Sequence, residues 1–180
     1  MTDRQSKLTL VNINKADLAK GRHVLIVESP ESRRAVSLNV NVFSIGRHPN
    51  NDLVISDTLA SRHHATVVWM KYTEGGDKSD YSYWIIDGKG KRKKSTNGVF
   101  VNGTKKSLHR LTSGDIINIG NNIKMSYSYI PYSTGNSQFL DYCGDERGNK
   151  YKPVVNKDKS YRDTVVIEDT AMIEETIISN

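Results

Sequence analysis

Along most of the chain the apolar residues come in short runs or alternations, broken every few positions by Gly, Asn, Asp or Ser. A repeat of two residues marks strands lying on a core, because successive strand side chains point to opposite faces, whereas an amphipathic helix repeats every 3.6 residues. The pattern predicts strands at His23–Ser29, Arg34–Asn39, Asn41–Gly46, Asp52–Ser56, Ala65–Tyr72, Tyr81–Asp87, Gly98–Asn102, His109–Leu111, Asp115–Gly120 and Ile123–Ile130. In the last of these Ile123, Met125, Tyr127 and Tyr129 share one face and Lys124, Ser126 and Ser128 the other, so it should be half buried and close the domain. About ten short strands at this spacing describe an all-β sandwich or barrel.

Only "NKADLAKG", Asn14 to Gly21, reads as a helical turn, with Asn14 as cap and Gly21 as terminator. The segment Leu8–Ile13 is a candidate extra edge strand within an N-terminal extension, residues 1–22. Beyond Pro131 the periodicity fades into polar, turn-rich sequence, and residues 132–180 read as a flexible, largely unstructured tail, acidic at its end.

Composition narrows this further. A chain of 180 residues with 36% hydrophobic positions fills one small core but hardly two. The lone Cys143 provides no internal disulfide and suits a reducing cytoplasm. The start lacks a charged-then-apolar signal pattern, and no run approaches the roughly 18 apolar residues of a membrane helix, so a cytoplasmic chain without membrane contact is expected. The net charge of +6 is unevenly spread: residues 1–130 hold 20 basic against 11 acidic residues, or +9, and residues 131–180 hold 6 against 9, or −3. A basic body of this kind implies an anionic partner.

Several chemistries fail on spacing. Ser61 and His64 stand three apart, but no neighbouring carboxylate orients the imidazole and Ser61 is not on a G-x-S-x-G elbow, which argues against nucleophilic catalysis. His63 and His64 would diverge on a strand, and His23, His48 and His109 are isolated, so no metal set forms; no cofactor is implied. The loop "DGKGKRKKSTNG", Asp87 to Gly98, has the composition of a phosphate-binding P-loop but puts Lys93 where a Gly must precede the Lys-Ser pair, and a strand rather than a helix follows. Nucleic acid, held by the Lys89–Lys94 loop, remains the alternative ligand, though neither aromatic platform nor recognition helix accompanies it.

An anion site built from loops at one end of a sandwich accommodates the rest. Arg47 offers a forked donor, Ser61 and Thr96 hydroxyls, and Arg62 a second guanidinium or a backbone amide, all at strand ends. Asn97 can give and accept a hydrogen bond at once, which suits a partner's backbone.

In order and separation, Gly46-Arg47, Ser61-Arg62-His63-His64, Ser95-Thr96-Asn97-Gly98 and Val101-Asn102-Gly103, followed by "LTSGDIINIG", resemble the motifs of the forkhead-associated (FHA) family over residues 23–131. The resemblance implies a β-sandwich of about eleven strands that binds phosphothreonine peptides in Ser/Thr kinase signalling and is not an enzyme. It implies that Arg47 and Ser61 bind the phosphate, aided by Arg62 and Thr96, and that Asn97 holds the peptide backbone. His64 is then structural, Gly46, Gly98 and Gly103 sit at tight turns, and Asn102 belongs to a turn. Where some members carry an Arg two before the serine, this chain has Leu59, which implies an aliphatic residue three after the phosphothreonine. The tail threonines Thr164, Thr170 and Thr176 are candidate phosphosites, and the tail itself is a candidate self-ligand, similar in layout to short bacterial members regulated by a flanking segment.

Overall fold

The computed structural model describes residues 7–74, 78–90 and 93–132, and there the regular elements are strands apart from one short helix. In order come β1 (Lys7–Leu10), α1 (Lys15–Leu18), β2 (Gly21–Glu28), β3 (Arg33–Leu38), β4 (Val42–Gly46), β5 (Leu53–Val54), β6 (Ala65–Glu74) and β7 (Lys78–Asp87). They continue with β8 (Val99–Val101), β9 (Thr104–Lys106), β10 (Leu108–Arg110), β11 (Ile116–Ile119) and β12 (Ile123–Pro131). One sheet runs β10-β7-β6-β4-β5, with β1 lying along the part of β6 that β4 leaves unpaired; the other runs β3-β2-β12-β11-β8-β9. The two sheets pack as a sandwich.

Alternation along each strand builds the space between the sheets. Val67 and Trp69 of β6, Tyr83 and Ile85 of β7, Leu25 and Val27 of β2, and Ile117 and Ile119 of β11 all join one buried cluster. In β12, Ile123, Met125 and Tyr127 enter it as expected, but Tyr129 is exposed, because the strand runs past the end of the facing sheet's core.

Three local expectations need correction. Asp52–Ser56 shortens to Leu53–Val54, since the Asp52 carboxylate accepts the Ser44 N–H at 2.8 Å and hydroxyl at 2.6 Å instead of extending a ladder. Gly21 opens β2 rather than ending a helix; the helix is only Lys15–Leu18, capped by Asn14 Oδ1, which accepts the Asp17 N–H at 2.8 Å. The strand Thr104–Lys106 was not predicted. Asn102 (φ 51°) and Gly103 (φ 78°) form a two-residue loop that folds it back so that Val101 pairs with Thr104, a turn that needs left-handed backbone at both positions.

The β11–β12 turn is held by Asp57, whose Oδ2 accepts the N–H groups of Asn121 and Asn122 at 3.0 Å each. Asp57 lies in the loop between β5 and β6, so this turn sits at the same end of the sandwich as that loop. From there β12 runs away for nine residues, roughly 30 Å at a strand's rise. Tyr132, whose N–H reaches Lys20 O at 3.1 Å, therefore leaves the sandwich at the opposite end.

Met125 is fully buried, and its neighbour Ser126 faces the other way. Met125→Ala should cost about 2–5 kcal/mol in denaturant unfolding of the full chain, whereas Ser126→Ala should stay within about 0.5 kcal/mol. Equal costs would contradict this register.

Candidate functional site

Three loops meet at the end where β4 and β7 finish and β6 begins. Arg47 follows β4, Ser61 and Arg62 precede β6, and Thr96 and Asn97 lie between β7 and β8. The Arg47 N–H bonds Ser61 O at 3.0 Å and the His48 N–H bonds Arg62 O at 3.0 Å, locking the first two loops backbone to backbone. Across the gap, Thr96 N–H donates to Ser61 Oγ at 3.0 Å, and that hydroxyl lies 3.3 Å from Thr96 Oγ1. Asn97 Nδ2 donates to Leu59 O at 2.8 Å, and the exposed Arg47 side chain is steadied by its Nε on Ala60 O at 3.3 Å. The structure thus brings Arg47, Ser61, Thr96 and Asn97 together, with Arg62 exposed on the same loop.

Beneath this surface the loops are held by buried groups. His64 is fully buried; its Nδ1 accepts the Ser61 backbone N–H at 3.0 Å and its Nε2 lies 3.0 Å from Gly98 O. The ring touches the Ser61 backbone, not its hydroxyl, so the two are not wired as base and nucleophile. At Gly46, which lies on strand β4 rather than at a tight turn, an added Cβ would stand 2.5 Å from Arg62 O and 2.9 Å from His64 N, so only glycine admits this close approach. Gly98 does have left-handed backbone, φ 85°. Asn102 bonds Asp115 Oδ1 at 2.8 Å and the Ile116 N–H at 2.9 Å, inside the hairpin region away from the three loops.

Sequence reading missed three of the anchors. Asn51 Nδ2 donates to both His48 O at 2.8 Å and Arg62 O at 2.7 Å. The Asp87 carboxylate accepts the Ser95 N–H at 3.1 Å and its hydroxyl, and Ser95 Oγ in turn accepts the Gly98 N–H at 2.9 Å. Asp57 accepts the Leu59 N–H at 2.7 Å. All three side chains are buried. The available signal was a Ser, Asn or Asp at a strand end beside a short loop, where such side chains bond nearby backbone.

The electrostatics favour an anion. Burial opposes the charge on Asp57, but the N–H groups of Asn122, Leu59 and Asn121 outweigh it and hold the carboxyl below its usual range. Its charge is therefore spent on backbone. The Lys105 stem lies across Gly98: a Cβ there would meet Lys105 Cε at 2.1 Å and Nζ at 2.9 Å, which puts a cation beside Asn97. Lys94 Nζ reaches Ser107 Oγ at 3.1 Å. Among the described residues no three His, Cys, Asp or Glu side chains gather as a metal would require.

The family model of the FHA domain matches residues 43–120, a stretch that contains all three loops. The chain belongs to the FHA family. The crystal structure of the Slr1951 protein from Synechocystis sp. is similar to this FHA domain with a TM-score of 0.51 and 34% identity, over 59% of this chain and 97% of that one. An uncharacterised Synechocystis protein is 37% identical over 107 residues, 59% of this chain but 15% of its own length. An oxoglutarate dehydrogenase inhibitor of Corynebacterium jeikeium is 31% identical over 104 residues, 57% of this chain and 62% of its own. The chain thus spans under two thirds of the curated relatives it matches. The twelve described strands fit the β-sandwich of the FHA fold.

Two measurements probe the scaffold. Removing the His64 ring strands the Ser61 N–H and the Gly98 carbonyl, so His64→Ala should lose about 2–6 kcal/mol at about 1–3 for each stranded group; an unchanged melting temperature would overturn this reading. His63 is half-buried, with Nε2 2.9 Å from Thr66 Oγ1. Burial first, then the Lys89 and Lys93 cations, lower it to about 4, against an opposing pull from Asp52. A folded value below the unfolded one means its contribution is fully present above about 6.5 and is lost as pH falls towards about 4. Melting curves of His63→Gln should accordingly fall less steeply than the parent's across that window.

Proposed function

We propose that this FHA domain is a phosphothreonine-dependent interaction module rather than an enzyme, taking a phosphopeptide at the loop end of the sandwich. The observation that supports it is the convergence of Arg47, Ser61, Thr96 and Asn97, tied to one another by hydrogen bonds and undercut by buried His64, Asn51 and Asp87. Arg47, with Arg62 beside it, supplies charge; Ser61 and Thr96 supply hydroxyl and amide donors; Asn97 is free in kind to exchange its bond to Leu59 O for one to a peptide backbone. Leu59, 49% exposed next to Asn97, offers an apolar contact to a residue three past the phosphothreonine. Lys105 and the Lys89–Lys94 loop, of which residues 91 and 92 lie outside the description, add attraction for acids elsewhere in the ligand.

The partner is then a protein carrying a threonine phosphorylated by a Ser/Thr kinase, met in the cytoplasm. That one relative is named as an enzyme inhibitor accords with action by binding another protein. Among the described residues no helix is long and apolar enough to cross a membrane.

Titration of phosphothreonine peptides, with the unphosphorylated forms as controls, tests the reading. Each charge-assisted bond is worth about 1.5–3 kcal/mol, so Arg47→Ala should weaken binding by about ten- to a hundredfold or more, with Asn97→Ala also weakened. Binding indifferent to phosphatase and steeply salt-dependent would favour nucleic acid on the Lys-rich loop instead.

The same site invites regulation by the chain's own tail. Thr164, Thr170 and Thr176 lie outside the described residues, and 31 residues lie between Tyr132 and Thr164. Such a tether could extend to about 100 Å, far beyond the sandwich's length, and provides effective concentrations of order mM. Kinase-treated full chain should therefore show tail-dependent NMR shifts at Arg47 and Asn97 that vanish when Thr164, Thr170 and Thr176 are all replaced by Ala. Identical spectra before and after phosphorylation would remove the self-ligand.

A further inference from the structure

A two-layer sandwich buries one face of each sheet and leaves the other open to water. The outer face of β6 and β7 departs from this. The register that sends Val67, Trp69, Tyr83 and Ile85 inward turns Val68, Met70, Ser82, Trp84 and Ile86 outward. Yet Val68 and Met70 are 0% exposed, Trp84 6% and Ile86 5%. They form a second apolar cluster, edged by Leu8, Val42, Tyr72 and Leu108.

The described residues account for only part of that cover. Thr66 Oγ1 donates to Gly88 O at 2.6 Å and lies 2.9 Å from His63 Nε2, so loop residues roof the end of the face nearest the binding loops. Further along, the elements that border this face are β1, β4 and β10, which flank β6 and β7 in the same sheet. Tyr72 of β6 borders the indole, ring centroids 6.2 Å apart at 45°, but side chains of sheet neighbours stand beside one another and leave the outward side of a ring to a further layer. Trp84 Nε1 and Ser82 Oγ are moreover buried with no hydrogen-bond partner among the described residues, and buried donors of this kind call for acceptors laid against them.

We propose that this face is the docking site of the chain's own C-terminal segment, with Phe139, Leu140 and Tyr142 seated over Met70 and Trp84. Tyr132 leaves the sandwich at the end away from the binding loops, anchored by its N–H on Lys20 O and by Arg22 Nε on its hydroxyl at 2.8 Å. That is also the end where β1 meets β6 and Met70 pairs with Leu10. Of the 180 residues 48 follow Tyr132, and their first apolar cluster is Phe139-Leu140-Asp141-Tyr142-Cys143, behind the polar spacer Ser133–Gln138. Six residues can span up to about 20 Å, enough to turn from the exit onto the neighbouring face. An extended segment brings carbonyls, and Asp141 a carboxylate, to the two donors. A tethered occupant also outcompetes a second copy, which must be drawn from solution. The docking is independent of the phosphopeptide reading and leaves Thr164 to Thr176 on a long remaining tether.

Because Cys143 is the chain's lone cysteine, full-length Ser82→Cys carries two thiols. A short bismaleimide should join them within one molecule, as mapped by mass spectrometry. Ser37→Cys, exposed on β3 of the other sheet, should not link. Links formed only between molecules would assign the face to a second copy, and labelling of Ser82→Cys as fast as Ser37→Cys would leave it open; either overturns the proposal. In the full-length double variant Phe139→Asp, Leu140→Asp, the Trp84 indole N–H should exchange at least roughly tenfold faster with the sheet amides unaltered. Unchanged indole exchange would equally sink it.

Discussion

The His64 ring accepts the Ser61 N–H on one nitrogen and faces the Gly98 carbonyl with the other, so a single imidazole joins the loop before β6 to the loop before β8. Because a backbone N–H can only donate and a carbonyl can only accept, these two bonds specify one tautomer and one ring orientation. The side chain is fully buried, so both bonds are shielded from bulk solvent. Ser61 and Thr96 then meet across the gap because their backbones are held by the same ring. Gly46 completes the arrangement by letting the Ser61–His64 backbone pass closer to β4 than any Cβ would allow.

Around this bridge the polar groups divide into two populations. Asn51, Asp57, Asp87 and Ser95 are buried and consumed by backbone groups. Arg47, Arg62, Lys94, Thr96 and Asn97 are exposed. The carboxylates nearest the site face inward and the cations outward, so the surface potential is not cancelled locally. Preorganised donors over a neutralised base suit a multiply charged oxygen ligand, since little reordering is needed when it arrives.

Much of this was legible in the sequence because strands declare themselves by alternation. The core pattern of β6, β7 and β12 follows directly from Ala65–Tyr72, Tyr81–Asp87 and Ile123–Ile130. The loop residues were legible through motif spacing rather than periodicity, and Arg47, Ser61, Thr96 and Asn97 do come together. What escaped was whatever depends on contacts between distant segments. Asp57 grips Asn121 and Asn122, more than 60 positions away, and nothing local distinguishes it from any solvated aspartate. The β9 strand escaped for a different reason: Thr104–Lys106 is polar and too short to show a period, and only the left-handed pair before it reveals the fold-back.

The exit of the chain at Tyr132, some nine strand residues from the three converging loops, bears on how such a unit fits larger architectures. Relatives of very different size contain the matched stretch, from 15% of one to 62% of another. With its handle at one pole and the three loops at the other, the sandwich can be spliced beside unrelated neighbours without those neighbours crowding the loops.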